Sequence, residues 1–187
     1  MAEGSEILEI TATEPKPKDF LEPIDFILAE HYRQRLLCEG LAKLTEKMEL
    51  APVAALATRL QAFLAHDLRL HLEDEEQDLF PLLWQRAQPE DNITNVLELL
   101  SEEHGLDEDL VDFLLEDLAT LASGNQLVNP IRFLVNVREF AETQRRHLAW
   151  ENALLLPVAR RRLTEVDLAG LGRSMAERRG IDLVTVS

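Results

Sequence analysis

Apolar residues recur along most of the chain at intervals of three and four, the period of an α-helix, and no stretch shows the strict alternation of a strand. The first helix is expected from near Asp19 to about Glu49, with Pro23 tolerated in its first turn. Its apolar row is Ile24, Ile27, Leu28, His31, Cys38, Leu41 and Ala42. A turn at Leu50-Ala51-Pro52 opens a second helix that runs to about Ala87, with the stripe Leu64, Leu68, His71, Leu72, Glu75, Leu79 and Leu82. After Gln88-Pro89-Glu90-Asp91-Asn92, a third helix is capped by Asp91 or Asn92 and spans roughly Ile93 to Leu121. Its stripe is Leu97, Leu100, His104, Glu108, Val111 and Leu115, and Ser123-Gly124-Asn125 stops it. Pro130 opens a fourth helix to about Leu163, striped by Phe133, Val137, Phe140, Gln144, His147, Glu151 and Leu155. Thr164 and Asp167 form a capping box for a short fifth helix that closes at Gly180, after Arg178 and Arg179. Four long helices on short turns predict an all-α, up-down-up-down four-helix bundle with a short C-terminal fifth helix.

Each long helix carries one histidine on its apolar stripe: His31, His71, His104 and His147. Helical rise places them at one height. His31 lies about 18 residues before the first turn and His71 about 19 after it. The corresponding intervals are about 16 and 12 residues around the second turn, and about 17 and 17 around the third. In an antiparallel bundle the four imidazoles therefore share a layer within about one turn. Three of them have a glutamate four residues on, as His71/Glu75, His104/Glu108 and His147/Glu151, and such pairs project from one helix face. Buried carboxylates need an internal partner, and a metal shared among imidazoles and carboxylates supplies one. The alternative is a set of hydrogen-bonded His–Glu pairs in a wet core. The Glu-x-x-His motif of the ferritin-like carboxylate bundles is absent, because no histidine has a glutamate three residues before it. Zinc suits the same donors, but the ligands outnumber what one tetrahedral zinc requires. His66 falls off the stripe and reads as a surface histidine. Gln144, one turn before His147, is a candidate hydrogen-bond partner for that ligand.

Helices two and four also repeat a longer pattern, His71-x3-Glu75-x5-Pro81 and His147-x3-Glu151-x5-Pro157, each proline inside an apolar run. Both prolines are expected to kink their helices, since each removes one N–H and crowds the carbonyl four residues back. Composition narrows the function. A formal charge of −16 without a basic stripe argues against nucleic acid and against an anionic membrane surface. A single cysteine, Cys38, excludes an internal disulfide and fits a reducing cytoplasm. No segment approaches a membrane span, and the first residues lack the order of a secretory signal.

The spacing His31…His71-x3-Glu75…His104…His147-x3-Glu151, with the phrase His71-Leu-Glu-Asp-Glu75-Glu-Gln-Asp-Leu-Phe-Pro-Leu-Leu, resembles the hemerythrin-like (HHE cation-binding) domains over about residues 20–163. The resemblance implies two non-haem iron ions bridged by Glu75 and Glu151 and by an oxo or hydroxo group. His31 and His71 would hold one iron, and His104 and His147 the other. The oxygen-carrying hemerythrins have a histidine four residues after the third-helix ligand, where this chain has Glu108. Glu108 as a harder, more anionic metal ligand, or a position left to water, disfavours reversible oxygen carriage; the alternative is that Glu108 points away and acts only through a ligand's outer contacts.

The expected organisation is an acidic arm over 1–19, the metal-binding bundle over 20–163 and a C-terminal helix and tail over 164–187. The expected role is a cytoplasmic di-iron protein, monomer or homodimer, that meets oxygen, nitric oxide or peroxide in sensing, detoxification or iron handling. Peroxide or nitric oxide turnover is a catalytic variant of that role. A metal-free helical interaction module is the alternative from a different class.

Overall fold

The computed structural model describes residues 14–46 and 53–183, and the side chains of 106–109 lie outside the description. Most of the expected N-terminal arm and the turn expected at Leu50-Ala51-Pro52 therefore fall outside the described residues. A 3-10 turn, Pro17–Leu21, precedes helix α1 at Pro23–Glu46. Helix α2 runs unbroken over 53–86, α3 is Thr94–Ala122, α4 covers 130–162, and α5 is Glu165–Arg178. No strand occurs among the described residues, as the periodicity requires.

Two hydrophobic cores hold the bundle. One joins the start of α1 (Ile24, Ile27), the end of α2 (Leu79, Phe80, Leu83), the start of α3 (Ile93, Leu97, Leu100) and the end of α4 (Leu155, Leu156, Val158). The other joins the end of α1 (Leu37, Leu41, Leu44), the start of α2 (Leu60, Leu64, Leu68), the end of α3 (Leu114, Leu118) and the start of α4 (Phe133, Phe140). Starts and ends alternate around each core, which makes the four helices antiparallel in sequence order. The four stripe histidines fall in the gap between the cores.

Two helices are not uniformly α-helical. One π turn at Glu75–Leu79 and another at Glu151–Leu155 interrupt α2 and α4. In each, an N–H bonds the carbonyl five residues back, Phe80 to Glu75 and Leu156 to Glu151. Each π turn closes two residues before a proline, Pro81 or Pro157. Each helix is thus widened by a π turn that begins at the glutamate itself. A third π turn, Phe63–Asp67, holds the exposed His66.

Several local expectations need correction. Helix α1 begins at Pro23, because the 3-10 turn occupies the residues before it. Leu28 and Ala42 are exposed, and Glu30, Gln34 and Leu37 take the buried face in their place. Neither Asp91 nor Asn92 caps α3, whose N-terminal flank Ile93 makes no side-chain cap bond. Asp91 is buried, accepts the Gln88 N–H and pairs with Arg161 and Arg162 of α4. Asn92 turns the chain with φ 53°. Gly124 does so with φ 75° at the end of α3.

Helix α5, opened by the Thr164/Asp167 capping box, packs through Leu171 and Met175 on the core that holds Ile24, Phe80, Leu97 and Leu155. Arg86 of α2 pairs with Asp167 by two hydrogen bonds of 2.9 Å. Gly172 lies against the 3-10 turn, where a β-carbon would meet the Phe20 carbonyl oxygen at 2.0 Å. Both partners there are backbone, so neither yields cheaply. Gly172→Ala should cost about 1–3 kcal/mol through overpacking. Chemical denaturation of the metal-free protein checks this, with Gly170→Ala, which meets nothing within 4 Å, as the neutral comparison.

Candidate metal centre

Six side chains converge between the two cores, all of them 7% exposed or less: His31, His71, Glu75, His104, His147 and Glu151. Each histidine turns its Nε2 inward. His71 Nε2 is 3.3 Å from Glu75 Oε1, and His31 Nε2 is 3.4 Å from Glu151 Oε2 and 3.8 Å from Glu75 Oε1. Across the centre, His104 Nε2 is 3.6 Å from Glu75 Oε2, and His147 Nε2 is 3.0 Å from Glu151 Oε1. The donors form two groups, His31/His71/Glu75/Glu151 and Glu75/His104/His147/Glu151, each with ligand atoms within 4.8 Å of one another. Both carboxylates belong to both groups.

The donors suit cations and little else. All four oxygens of Glu75 and Glu151, and Nε2 of His31, are buried without a hydrogen-bond partner among the described residues. His104 and His147 point their Nε2 atoms at each other across 2.8 Å. Without a shared cation, one of these nitrogens must carry a proton toward the other.

The outward ring nitrogens follow a cyclic rule. Glu30, beside His31 on α1, lies 3.2 Å from His71 Nδ1 on α2. Glu76, beside Glu75 on α2, lies 2.6 Å from His104 Nδ1 on α3 and also accepts from Ser101. Glu103, beside His104 on α3, lies 3.4 Å from His147 Nδ1 on α4, an ion-pair distance without hydrogen-bond geometry. Asn152, beside Glu151 on α4, lies 2.8 Å from His31 Nδ1 on α1. A residue next to a ligand is turned about 100° around its helix, toward the neighbouring helix. Each helix thus sends a polar side chain to the imidazole of the next, and in the three hydrogen-bonded cases an acceptor oxygen favours the proton on Nδ1 and the lone pair of Nε2 inward. None of these four partners stood out in the sequence. The signal was a polar residue adjacent to each helix's ligand. Gln144 is buried but is not the partner of His147 Nδ1; it lines a cavity instead.

That cavity, about 540 Å³, lies between α2 and α3. Leu64, Leu68 and Leu72 form an apolar wall, and Glu76, Ser101 and His104 are its polar side. It reaches one half of the centre, the half containing His104. The Glu108 side chain lies outside the described residues.

A hemerythrin HHE cation-binding domain model matches residues 22–159. The chain belongs to the hemerythrin HHE cation-binding domain family. A search of curated proteins finds no significant match. The matched segment takes in all six converging residues of this hemerythrin-type bundle and stops short of α5. No helix among the described residues is long and apolar enough to cross a membrane.

Charge in the cation-free centre is held by protons. Burial opposes a charge on His71, but Glu75, Glu30 and Glu151 outweigh it and push the imidazole up to about 10. His147 is shifted upward against the same burial by Glu151, Glu75 and Glu103. Burial would raise Glu75, but His71, His31 and His104 hold its carboxyl far below the usual range. A metal must displace the His71 proton, so affinity should rise with pH up to about 10, by about tenfold per unit for each proton released. The sign for the metal-free fold is opposite. Protonation of His71 stabilises it fully below its ordinary value of 6.5, and that stabilisation disappears as pH rises through about 10. Chelator-competition titrations and metal-free denaturation, each run from pH 6.5 to 9, should show tighter binding alongside falling stability.

Proposed function

We propose that this protein holds two non-haem iron ions, one between His31 and His71 and one between His104 and His147, with Glu75 and Glu151 shared by both. We propose further that it meets oxygen, nitric oxide or peroxide in the cytoplasm, in sensing, detoxification or iron handling. One observation carries this reading: the two donor groups have both buried carboxylates in common. A metal-free bundle would keep two carboxylates buried with no acceptor bond satisfied, a cost of several kcal/mol that cations between them remove. Iron is favoured by the family and by the mixture of imidazole and carboxylate donors, and zinc is the chemical competitor.

The protein's own contribution is orientation and exclusion. The cyclic partners fix each imidazole, and the two cores close the layer from above and below. Iron held by these residues would supply a binding position and reversible electron exchange for a small ligand. The cavity between α2 and α3 offers such a ligand its route to the His104 half.

The sharing of carboxylates makes a stoichiometric test possible. Glu75→Leu removes a donor from both groups and replaces a buried charge with a residue of similar size. It should bind less than one metal per chain and fold at least as stably as the metal-free wild type. His31→Ala should retain about one metal per chain, because it spares the His104/His147 group. Metal analysis after iron loading decides the matter, and two metals retained by Glu75→Leu would contradict the assignment. For the entry route, Leu72→Trp should slow azide or nitric oxide association by about tenfold or more at unchanged iron content. Equal stopped-flow rates would remove the cavity from the account.

A further inference from the structure

Helix α5 lies beyond the segment shared with the family, yet its last turn reaches the outer side of the centre. Arg179 directs Nη1 to Asp74 Oδ2 at 2.8 Å and Nη2 to the two oxygens of Glu30 at 3.3 and 3.4 Å. Arg178 donates to Asp74 Oδ1 at 2.6 Å and pairs with Asp78. Asp74 and Glu30 are buried, at 0% and 4% exposed, and Glu30 is the carboxylate that faces His71 Nδ1. The Arg179 guanidinium sits over the Phe26 ring, 5.0 Å from its centroid, with a side chain only 6% exposed. Arg33, three residues on along α1, lies 3.9 Å from Glu30.

We propose that Arg179 is a positioning residue for the His31/His71 half of the centre. It holds Glu30 against His71, so that docking of α5 and occupancy of that half are coupled. The proposal rests on the two-metal reading above. Three observations separate this role from simple fastening of α5. Fastening is already provided by Arg86–Asp167, by the Gly172–Phe20 approach and by burial of Leu171 and Met175. Arg179, by contrast, ends on the carboxylate that orients a candidate ligand. The other half is supported from within the bundle: Glu76 is held by Ser101 of α3, and Glu103 by the half-exposed Arg146 of α4, so only the His31/His71 half draws its support from α5.

The consequence is an asymmetry between two halves that otherwise have the same donors. Without Arg179, Glu30 and Asp74 lose the guanidinium they share, Glu30 is no longer pinned, and the Nδ1–H of His71 loses its fixed acceptor. Disturbed outer partners typically cost about 10–100-fold in metal affinity. By linkage, a metal in the His31/His71 half must in turn favour docked α5.

The test is anaerobic release of ferrous iron to a chelator from the full-length protein, comparing wild type, Arg179→Gln, Arg179→Lys and Arg86→Gln. In Arg179→Gln, one iron per chain should leave at least about tenfold faster while the other keeps its wild-type rate. Arg179→Lys should recover part of the difference, and Arg86→Gln, which loosens α5 but leaves Arg179 on Glu30, should accelerate the same iron less than Arg179→Gln does. Equal acceleration of both irons, or of neither, would overturn the proposal. Hydrogen exchange on the wild type needs no variant to fold: iron loading should slow amide exchange across 165–178, and identical exchange with and without iron would also overturn it. A wild type that takes up no second iron would overturn the two-metal reading, and this proposal with it.

Discussion

Two carboxylates, Glu75 and Glu151, are buried in a layer between two hydrophobic cores, and none of their four oxygens receives a hydrogen bond among the described residues. That constraint organises the rest of the molecule. Charges so placed persist only where positive charge is supplied, and the structure supplies it as four inward-facing Nε2 atoms that can be protonated or can share cations. The π turns belong to the same arrangement, since each starts at one of these glutamates and ends just before a proline.

Around this layer the helices serve one another in rotation. The residue next to each helix's ligand faces the imidazole of the following helix, hydrogen-bonded to it at Glu30, Glu76 and Asn152 and at ion-pair distance at Glu103. The rotation is regular, but what lies outside it is not. A cavity approaches His104, whereas the two C-terminal arginines approach His71 through Glu30. One half of the centre therefore adjoins a cavity, and the other is reached by arginines from beyond the four-helix bundle.

Much of this was legible in the sequence, for identifiable reasons. The helical period, the common height of four histidines and the repeated His-x3-Glu fixed the bundle and the residues that meet in its centre. The first helix shows where that reading stops. Its buried face runs through Glu30 and Gln34, and a search for apolar spacing passed over both and admitted the exposed Leu28 and Ala42 instead. Polar residues that orient ligands look like surface residues until the neighbouring helix is in place. Arg178 and Arg179 were legible as cations suited to a helix end. Their partners, about 100 and 150 residues away in sequence, were not, because ion pairs between helices leave no periodic trace. Asp91 was read as a cap for a similar reason, although its decisive partners are Arg161 and Arg162.

The central claim is that the buried carboxylates are shared by two irons. It is tested most directly by elemental analysis of the full-length protein after anaerobic iron loading and desalting, with the visible spectrum recorded before and after admission of air. Two irons per chain, with a charge-transfer band that appears on oxidation and shifts when azide is added, is the result this account predicts. Less than one iron per chain under saturating supply, with no such band, would contradict it.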